Sequence, residues 1–382
     1  MSVVDAEPAA RRTAYVRLSP GDPAPWWTQA TLVNPKFVFD TVAGRYIALL
    51  FVGSVADAAG QALLSAALAA RSTFNDEHAC LFIVTMDRSD VESGRLRDLI
   101  PGVRVVCDYD GAVSRAYGAL PMETDGGPVA LRRMMVALDP MLRVLDVAPG
   151  APEAVAGLAA DIARCAPVEA YNGLAIQAPI LFLPRVFEPE LCERLIGLYR
   201  THGGEESGFM REIGGKTVGV HDYSHKSRSD HNIQDEEIKA ATRARILRRL
   251  VPEIQKAYAF NVTRMERYIV ACYDAASGGH FRAHRDNRTK GTAHRRFAVS
   301  INLNADFDGG DICFPEFGPR SFRPPPGGAV VFSCALLHQV SRVTRGQRYA
   351  FLPFLYDDAA AEVRQANLGF LGGAEDEVRI GR

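Results

Sequence analysis

The feature that most limits what this chain can fold into is a change of rhythm near residue 170. Before it, apolar runs of strand length alternate with stretches of helical spacing. "YIALLFV" (46–52), "CLFIVTMD" (80–87) and "VRVVCD" (103–108) read as buried strands. "SVADAAGQALLSAALAARST", "DVESGRLRDLI" and the shorter "GAVSRAYGA" read as helices, "LRRMMVALDP" and "LRVLDVA" as two more strands, and "APEAVAGLAADIARCA" as a closing helix. This order predicts an α/β sandwich. After the change come two helical stretches, "PELCERLIGLYRTHG" and "EEIKAATRARILRRLVPEIQKAYAF". Short strands then follow in quick succession: "RYIVACYD", "FAVSINLN", "GDICFP", "SFRP", "GAVVFS", "HQVSRV" and "RYAFLPFLYD". Closely spaced strands with turns between them predict a mainly β sandwich or barrel. Residues 203–235 between the two helical stretches are polar, Gly-rich and weakly patterned, which predicts a binding loop or lid.

A length of 382 residues is too great for one ordinary core. The expected division is a tail over 1–16, an α/β domain over 17–168 and a second domain over 169–382, with the boundary in the poorly periodic segment 166–177. Net charge is −1, so nothing draws the whole chain toward nucleic acid or a membrane. The basic run "RARILRR" reads as the exposed face of a helix. Seven scattered cysteines without a C-x-x-C pair argue against a disulfide framework or a zinc site and suit a reducing cytoplasm. "MSVVDAEPAARR" has no signal-peptide core, and no run of 18 apolar residues occurs, so a soluble cytoplasmic protein is expected.

Two motifs in the first half point to a family. "GDPAPWWT" (21–28) matches a G-x-x-A-P entry, and "VVCDYDGAVSRAYGA" a D-x-D/G-x-x-x-x-A-Y-G segment. Residues 17–166 thus resemble a peroxiredoxin of thioredoxin fold. In that family the attacking cysteine stands in P-x-x-x-T-x-x-C after the "LLFV" strand. Here the place reads "GSVADAAGQ", without the Pro, the Thr or the Cys. A thiolate is the nucleophile of peroxide reduction, and no neighbour substitutes for it. Cys80 and Cys107 read as buried structural thiols. A redox-inactive domain is therefore expected, whose thioredoxin-fold edge is a candidate homodimer contact.

In the second half "YDAASGGHFRAHRDN" (273–287) places dense charge directly after an apolar strand. His284 and Asp286 are two apart, and on a strand such side chains leave the same face. His338 follows a second apolar strand. Two histidines and one carboxylate, with positions left open, make the facial triad of non-haem Fe(II) oxygenases. Arg348 stands in an otherwise apolar strand and requires an anionic partner. His280, His221, His225, His231 and His294 lack a convincing ligand pattern, and the arginines around the triad read as a solvated rim or an anion-attracting field.

The order Tyr273, His284-x-Asp286, "GGDICFP" (309–315), His338 and Arg348 resembles an Fe(II)/2-oxoglutarate-dependent dioxygenase of the prolyl 4-hydroxylase type. The resemblance covers about 178–358 and implies a double-stranded β-helix (jelly roll) with the metal between its sheets. It implies Fe(II) on His284, Asp286 and His338, and 2-oxoglutarate chelating that iron with its C5 carboxylate on Arg348 and Tyr273. It also implies a polar co-substrate contact at Asn302, O2 as oxidant and L-ascorbate as a candidate reductant. An intact Asp286, where related halogenases carry a small residue, points to hydroxylation. The expected reaction converts an unactivated C–H of an amino acid, a peptidyl (prolyl-like) side chain or a small metabolite, with release of succinate and CO2. Two other readings stay open: a thiol peroxidase, and a non-catalytic 2-oxoglutarate- or O2-sensing binding protein.

Overall fold

The computed structural model describes residues 14–122, 130–373 and 376–380, so most of the expected tail over 1–16 lies outside the described residues. The chain divides into two compact units, one ending at Ile176 and the other comprising Gln177–Pro315 and Pro319–Arg382, with 316–318 grouped with the first.

The first unit is built on a five-stranded sheet. Its central strand, Tyr46–Gly53, is buried along its whole length and pairs in parallel with Ala79–Thr85, which pairs in parallel with Val103–Cys107. Met134–Leu138 and Val144–Pro149 extend the other edge antiparallel. Strands buried on both faces read as continuous apolar runs, which is why these are legible in the sequence. Helices Ala58–Leu68 and Pro152–Arg164 share a core with the sheet through Leu63, Ala67, Leu158 and Ile162. The helix expected over 90–100 covers only Arg88–Glu92. Gly94 takes φ +72° just beyond it, and Leu96 turns inward.

Where a peroxiredoxin would carry its attacking cysteine, the turn is held by carboxylates. Asp57 caps the Ala58 helix by accepting from the Gly60 N–H. Asp90, fully buried, accepts from Thr85 Oγ1 at 2.7 Å and the Val55 N–H at 3.0 Å. Cys80 is buried, donates to Asp76, and has its thiol pushed up to about 12 by burial and that contact. This is the opposite of what an attacking thiolate needs.

The second unit has two facing sets of antiparallel strands over a helical base. The larger sheet runs in the order Arg264–Glu266, Phe354–Tyr356, Phe297–Asn302, Gln347–Phe351, Ile269–Asp274, Ser229–Asn232, Glu205–Glu206. Ala329–Ser333 pairs with its Phe297 strand and Leu181–Leu183 with Ala329–Ser333. The smaller sheet runs Lys226–Ser227, His280–His284, His338–Val340, Ile312–Cys313, Ser321–Phe322. Helices Pro189–His202, Glu236–Arg249 and Val251–Tyr258 bury Leu195, Ile238 and Ile254 with Val270, Ile301 and Phe351 of the larger sheet. The segment 203–235 is mostly strand rather than loop. It contains the hairpin Phe209–Ile213/Lys216–Asp222, to which Val378–Ile380 adds in parallel. Its pattern is mixed: Val218 and Val220 are buried in the hairpin, whereas farther on the buried residues are Lys226, Ser227, Arg228 and Asp230. Among the described residues no helix is long and apolar enough to cross a membrane.

Candidate metal centre and anion pocket

His284 and His338 are directly opposed in the antiparallel pairing of their strands, so both rings leave the same face. Their ring centroids are 4.2 Å apart. Asp286 completes the group from a position that strand alternation does not predict. The strand ends at His284, after an irregularity between Phe281 and His284. Asp286 sits in the following turn, held by its N–H donating to the Cys334 carbonyl at 2.9 Å. Its Oδ1 lies 3.6 Å from His284 Nε2 and its Oδ2 3.3 Å from His338 Nε2. One ligand atom from each residue falls within 4.8 Å of the others, the one such three-residue group among the described residues.

The rings are oriented from behind. His284 Nδ1 donates to the Arg282 carbonyl at 2.7 Å and His338 Nδ1 to that of Leu336 at 3.0 Å, so each Nε2 faces Asp286. Phe281 stacks on the His284 ring at 3.5 Å, and Phe332 packs on His338 at 4.5 Å. Burial and the neighbouring His338 push the His284 pKa down to about 4, so this ring is neutral at physiological pH. Burial alone would raise the Asp286 carboxyl, but the His338 and His284 imidazoles hold it well below the usual carboxylate range. Two imidazoles and one carboxylate fit a divalent ion of intermediate hardness.

The larger sheet supplies the other wall. Tyr273 and Arg348 are cross-strand partners, which puts both on one face. Arg348 is 1% exposed. Its Nε donates to Asn302 Oδ1 at 3.0 Å and its Nη2 to Ser300 Oγ at 2.8 Å, while Nη1 has no partner. A buried guanidinium with neutral acceptors and one orphan nitrogen fits a missing anion. Gly309 and Gly310 turn at φ +73° and +69°, and a Cβ on Gly310 would stand 3.0 Å from Arg348 Cδ, so the "GG" of "GGDICFP" lets the chain pass over this arginine. Asn302 spends both ends of its amide on the protein, the second donating to the Pro324 carbonyl at 2.9 Å. His284, Asp286, His338, Tyr273, Arg348 and Phe354 line one cavity of about 760 Å³.

Residues 268–356 match the model of the 2OG-Fe(II) oxygenase superfamily. This segment is a 2OG-Fe(II) oxygenase domain. It contains all six of the cavity residues just named, while the helical base and the strands of 203–235 precede it. A PKHD-type hydroxylase of Pseudomonas fluorescens is 36% identical over 94 residues, 22% of this chain and 39% of the relative. The chain thus spans about two fifths of that relative's length. A prolyl hydroxylase from Trichoplax adhaerens, solved with a hypoxia inducible factor peptide, superposes with TM-score 0.39 and 16% identity over 50% of this chain and 87% of that one. A peroxidoxin of Mycobacterium tuberculosis gives TM-score 0.33 and 15% identity over 39% of this chain and 97% of that one.

The other histidines around the oxygenase domain are engaged elsewhere. His280 Nδ1 contacts the Gly278 carbonyl, His225 packs between Phe209 and Phe281, and His221 lies between Glu206 and Glu377. His294 Nε2 contacts Glu266 at 3.0 Å, and Arg295 Nε donates to the same carboxylate at 2.7 Å. Burial would raise the Glu266 carboxyl, but the His294 hydrogen bond and the Arg295 charge bring it down to about 2. A depressed carboxyl contributes stability that is present above its unfolded value and lost as pH falls through the folded one. The fold should therefore lose thermal stability between about pH 4.5 and pH 2. Glu266→Gln should flatten that fall and lower the neutral-pH melting temperature by about 5–10 °C, measured by scanning calorimetry across pH.

Proposed function

We propose that the second unit is an Fe(II)- and 2-oxoglutarate-dependent hydroxylase with a double-stranded β-helix core. His284, Asp286 and His338 hold the iron in this reading. Arg348 and Tyr273 hold the distal carboxylate of 2-oxoglutarate. The observation that carries it is the pairing, in one cavity, of a three-donor cluster with a buried arginine nitrogen that lacks a partner. When bound, iron, 2-oxoglutarate and O2 supply the oxidation of an unactivated C–H to C–OH, with 2-oxoglutarate leaving as succinate and CO2. The chain's own residues do the rest. The Arg282 and Leu336 carbonyls fix the imidazoles, and Asn302 and Ser300 fix Arg348. Phe281, Phe332, Ile312 and Val299 make apolar walls that exclude water from the centre. Asn302 is then a positioning residue for Arg348. The substrate class we take forward is an amino acid, a peptidyl side chain or a small metabolite.

The test is anaerobic addition of Fe(II) and 2-oxoglutarate to the full chain. A weak visible charge-transfer band should appear, and admission of O2 should release succinate even without a substrate. Neither band nor succinate at millimolar 2-oxoglutarate would overturn the assignment.

A further inference from the structure

One group of charges in the cavity wall is used by neither the metal nor the co-substrate. Lys226, Arg228 and Asp230 alternate with serines over Lys226–Ser227, the link at 228 and Ser229–Asn232, and all three line the cavity. Arg228 Nη2 donates to Asp230 Oδ2 at 2.7 Å and to Ser207 Oγ at 3.0 Å, and its Nη1 to the Tyr273 hydroxyl at 3.3 Å. Arg267 Nη2 donates to the same Asp230 Oδ2 at 3.3 Å. Lys226 Nζ has only neutral acceptors, Ser207 Oγ and the Gly208 carbonyl. Two guanidiniums thus share one carboxylate, with Lys226 beside them.

The imbalance survives loading of the site. Iron, Asp286 and dianionic 2-oxoglutarate leave one negative charge, which Arg348 neutralises. The Asp230 cluster keeps its surplus cation even with Lys226 neutral. Arg267 carries that surplus at the cavity face, 29% exposed and 3.3 Å from a carboxylate already paired with Arg228, so it is open to a counter-ion. Two further observations point to a ligand. The Arg228 side chain is 4% exposed, yet its Nε has no partner; Asp230 Oδ1 also lacks one, but it can only accept and so takes no part in holding an anion. Arg267 takes φ +66°, a left-handed conformation that a side-chain-bearing residue rarely adopts, and it lines the cavity. Its guanidinium, 29% exposed, lies 5.3 Å from the Phe354 ring, which the Arg295 guanidinium also approaches at 4.0 Å.

We infer that Arg267, backed by Arg228, Lys226 and Asp230, docks the carboxylate of a small acidic substrate whose apolar part lies against Phe354. This rests on the oxygenase reading of the same cavity. A cavity of about 760 Å³ suits a small molecule beside 2-oxoglutarate.

The test uses the full chain, anaerobic and saturated with Fe(II) and 2-oxoglutarate so that Arg348 is already occupied. Propionate, benzoate and N-acetyl-L-proline are each titrated against the corresponding primary amide, with binding read by calorimetry. Each acid should bind about ten-fold tighter than its amide. Arg267→Gln should erase the preference and Arg267→Lys restore part of it. Equal affinity for acids and amides would overturn the inference, as would a preference that survives Arg267→Gln. Tighter binding of an acidic tripeptide amide than of every small acid would overturn its restriction to small molecules. Because the charge-transfer band is recorded first, its presence with no acid preference defeats this inference alone, whereas its absence defeats the oxygenase reading beneath it as well.

Discussion

Replacing His338 by alanine should lower Fe(II) affinity by on the order of a hundred-fold or more and bring 2-oxoglutarate turnover to background. The donor set is minimal, so each member matters. His338 Nε2 stands 3.3 Å from Asp286 Oδ2, and without it Asp286 is left with one imidazole. Two adjacent donors cannot fix the remaining coordination positions, so both affinity and the geometry for co-substrate are lost together. The ring is 5% exposed and packs on Phe332, so some loss of stability accompanies the change. Thermal unfolding of the iron-free variant separates that loss from the metal effect. His280→Ala is the control, because that ring is engaged with the Gly278 carbonyl and stands outside the three-donor group. It should change Fe(II) affinity by less than about two-fold, the ordinary effect of a distant substitution. An anaerobic Fe(II) titration in which His338→Ala binds like the unsubstituted protein would sink the ligand assignment.

Much of this site is legible in the residues alone because they obey strand arithmetic. Tyr273 and Arg348 sit on apolar runs that pair edge to edge, and a lone arginine in such a run announces a buried charge. His284 and His338 are legible for the same reason. The pattern points to Asp286 on grounds that do not hold in detail: the i, i+2 argument needs a strand through residue 286, and the strand stops at 284. The turn reaches the same point by a backbone hydrogen bond to Cys334, which no residue pattern encodes. Lys226, Arg228 and Asp230 escape a search for apolar alternation, because 226–230 holds no apolar residue. The signal is there in another form, since "KSRSD" alternates charge and serine with the period of a strand. Arg267 has no such signal, because nothing in sequence marks a non-glycine residue held at φ +66°. The second helix of the first unit is shorter than its spacing predicts for a related reason: helical spacing tolerates Gly94, whereas its φ of +72° ends the helix.

Arg348→Leu should raise the KM for 2-oxoglutarate by about a hundred-fold while leaving Fe(II) affinity within about three-fold. Two charge-assisted hydrogen bonds to a carboxylate account for a change of that size. Arg348→Lys should recover only part of it, since an ammonium cannot present the planar fork. The stability of the ligand-free protein tells whether this arginine serves binding or folding. Arg348 is buried against Asn302, Ser300 and Tyr273, with no carboxylate at salt-bridge distance among the described residues. Burial pushes its pKa below the ordinary guanidinium value, the mark of a charge that the surrounding side chains do not compensate. A structural arginine would be missed on removal. An arginine waiting for an anion would not, because leucine relieves the fold of an unpaired charge at the cost of two neutral acceptors losing a donor. The iron-free Leu variant should therefore melt at or above the temperature of the unsubstituted protein, and 2-oxoglutarate should no longer raise that temperature. A drop of more than about 5 °C without ligand, with the co-substrate KM unchanged, would place Arg348 in the fold and leave the 2-oxoglutarate carboxylate without its partner.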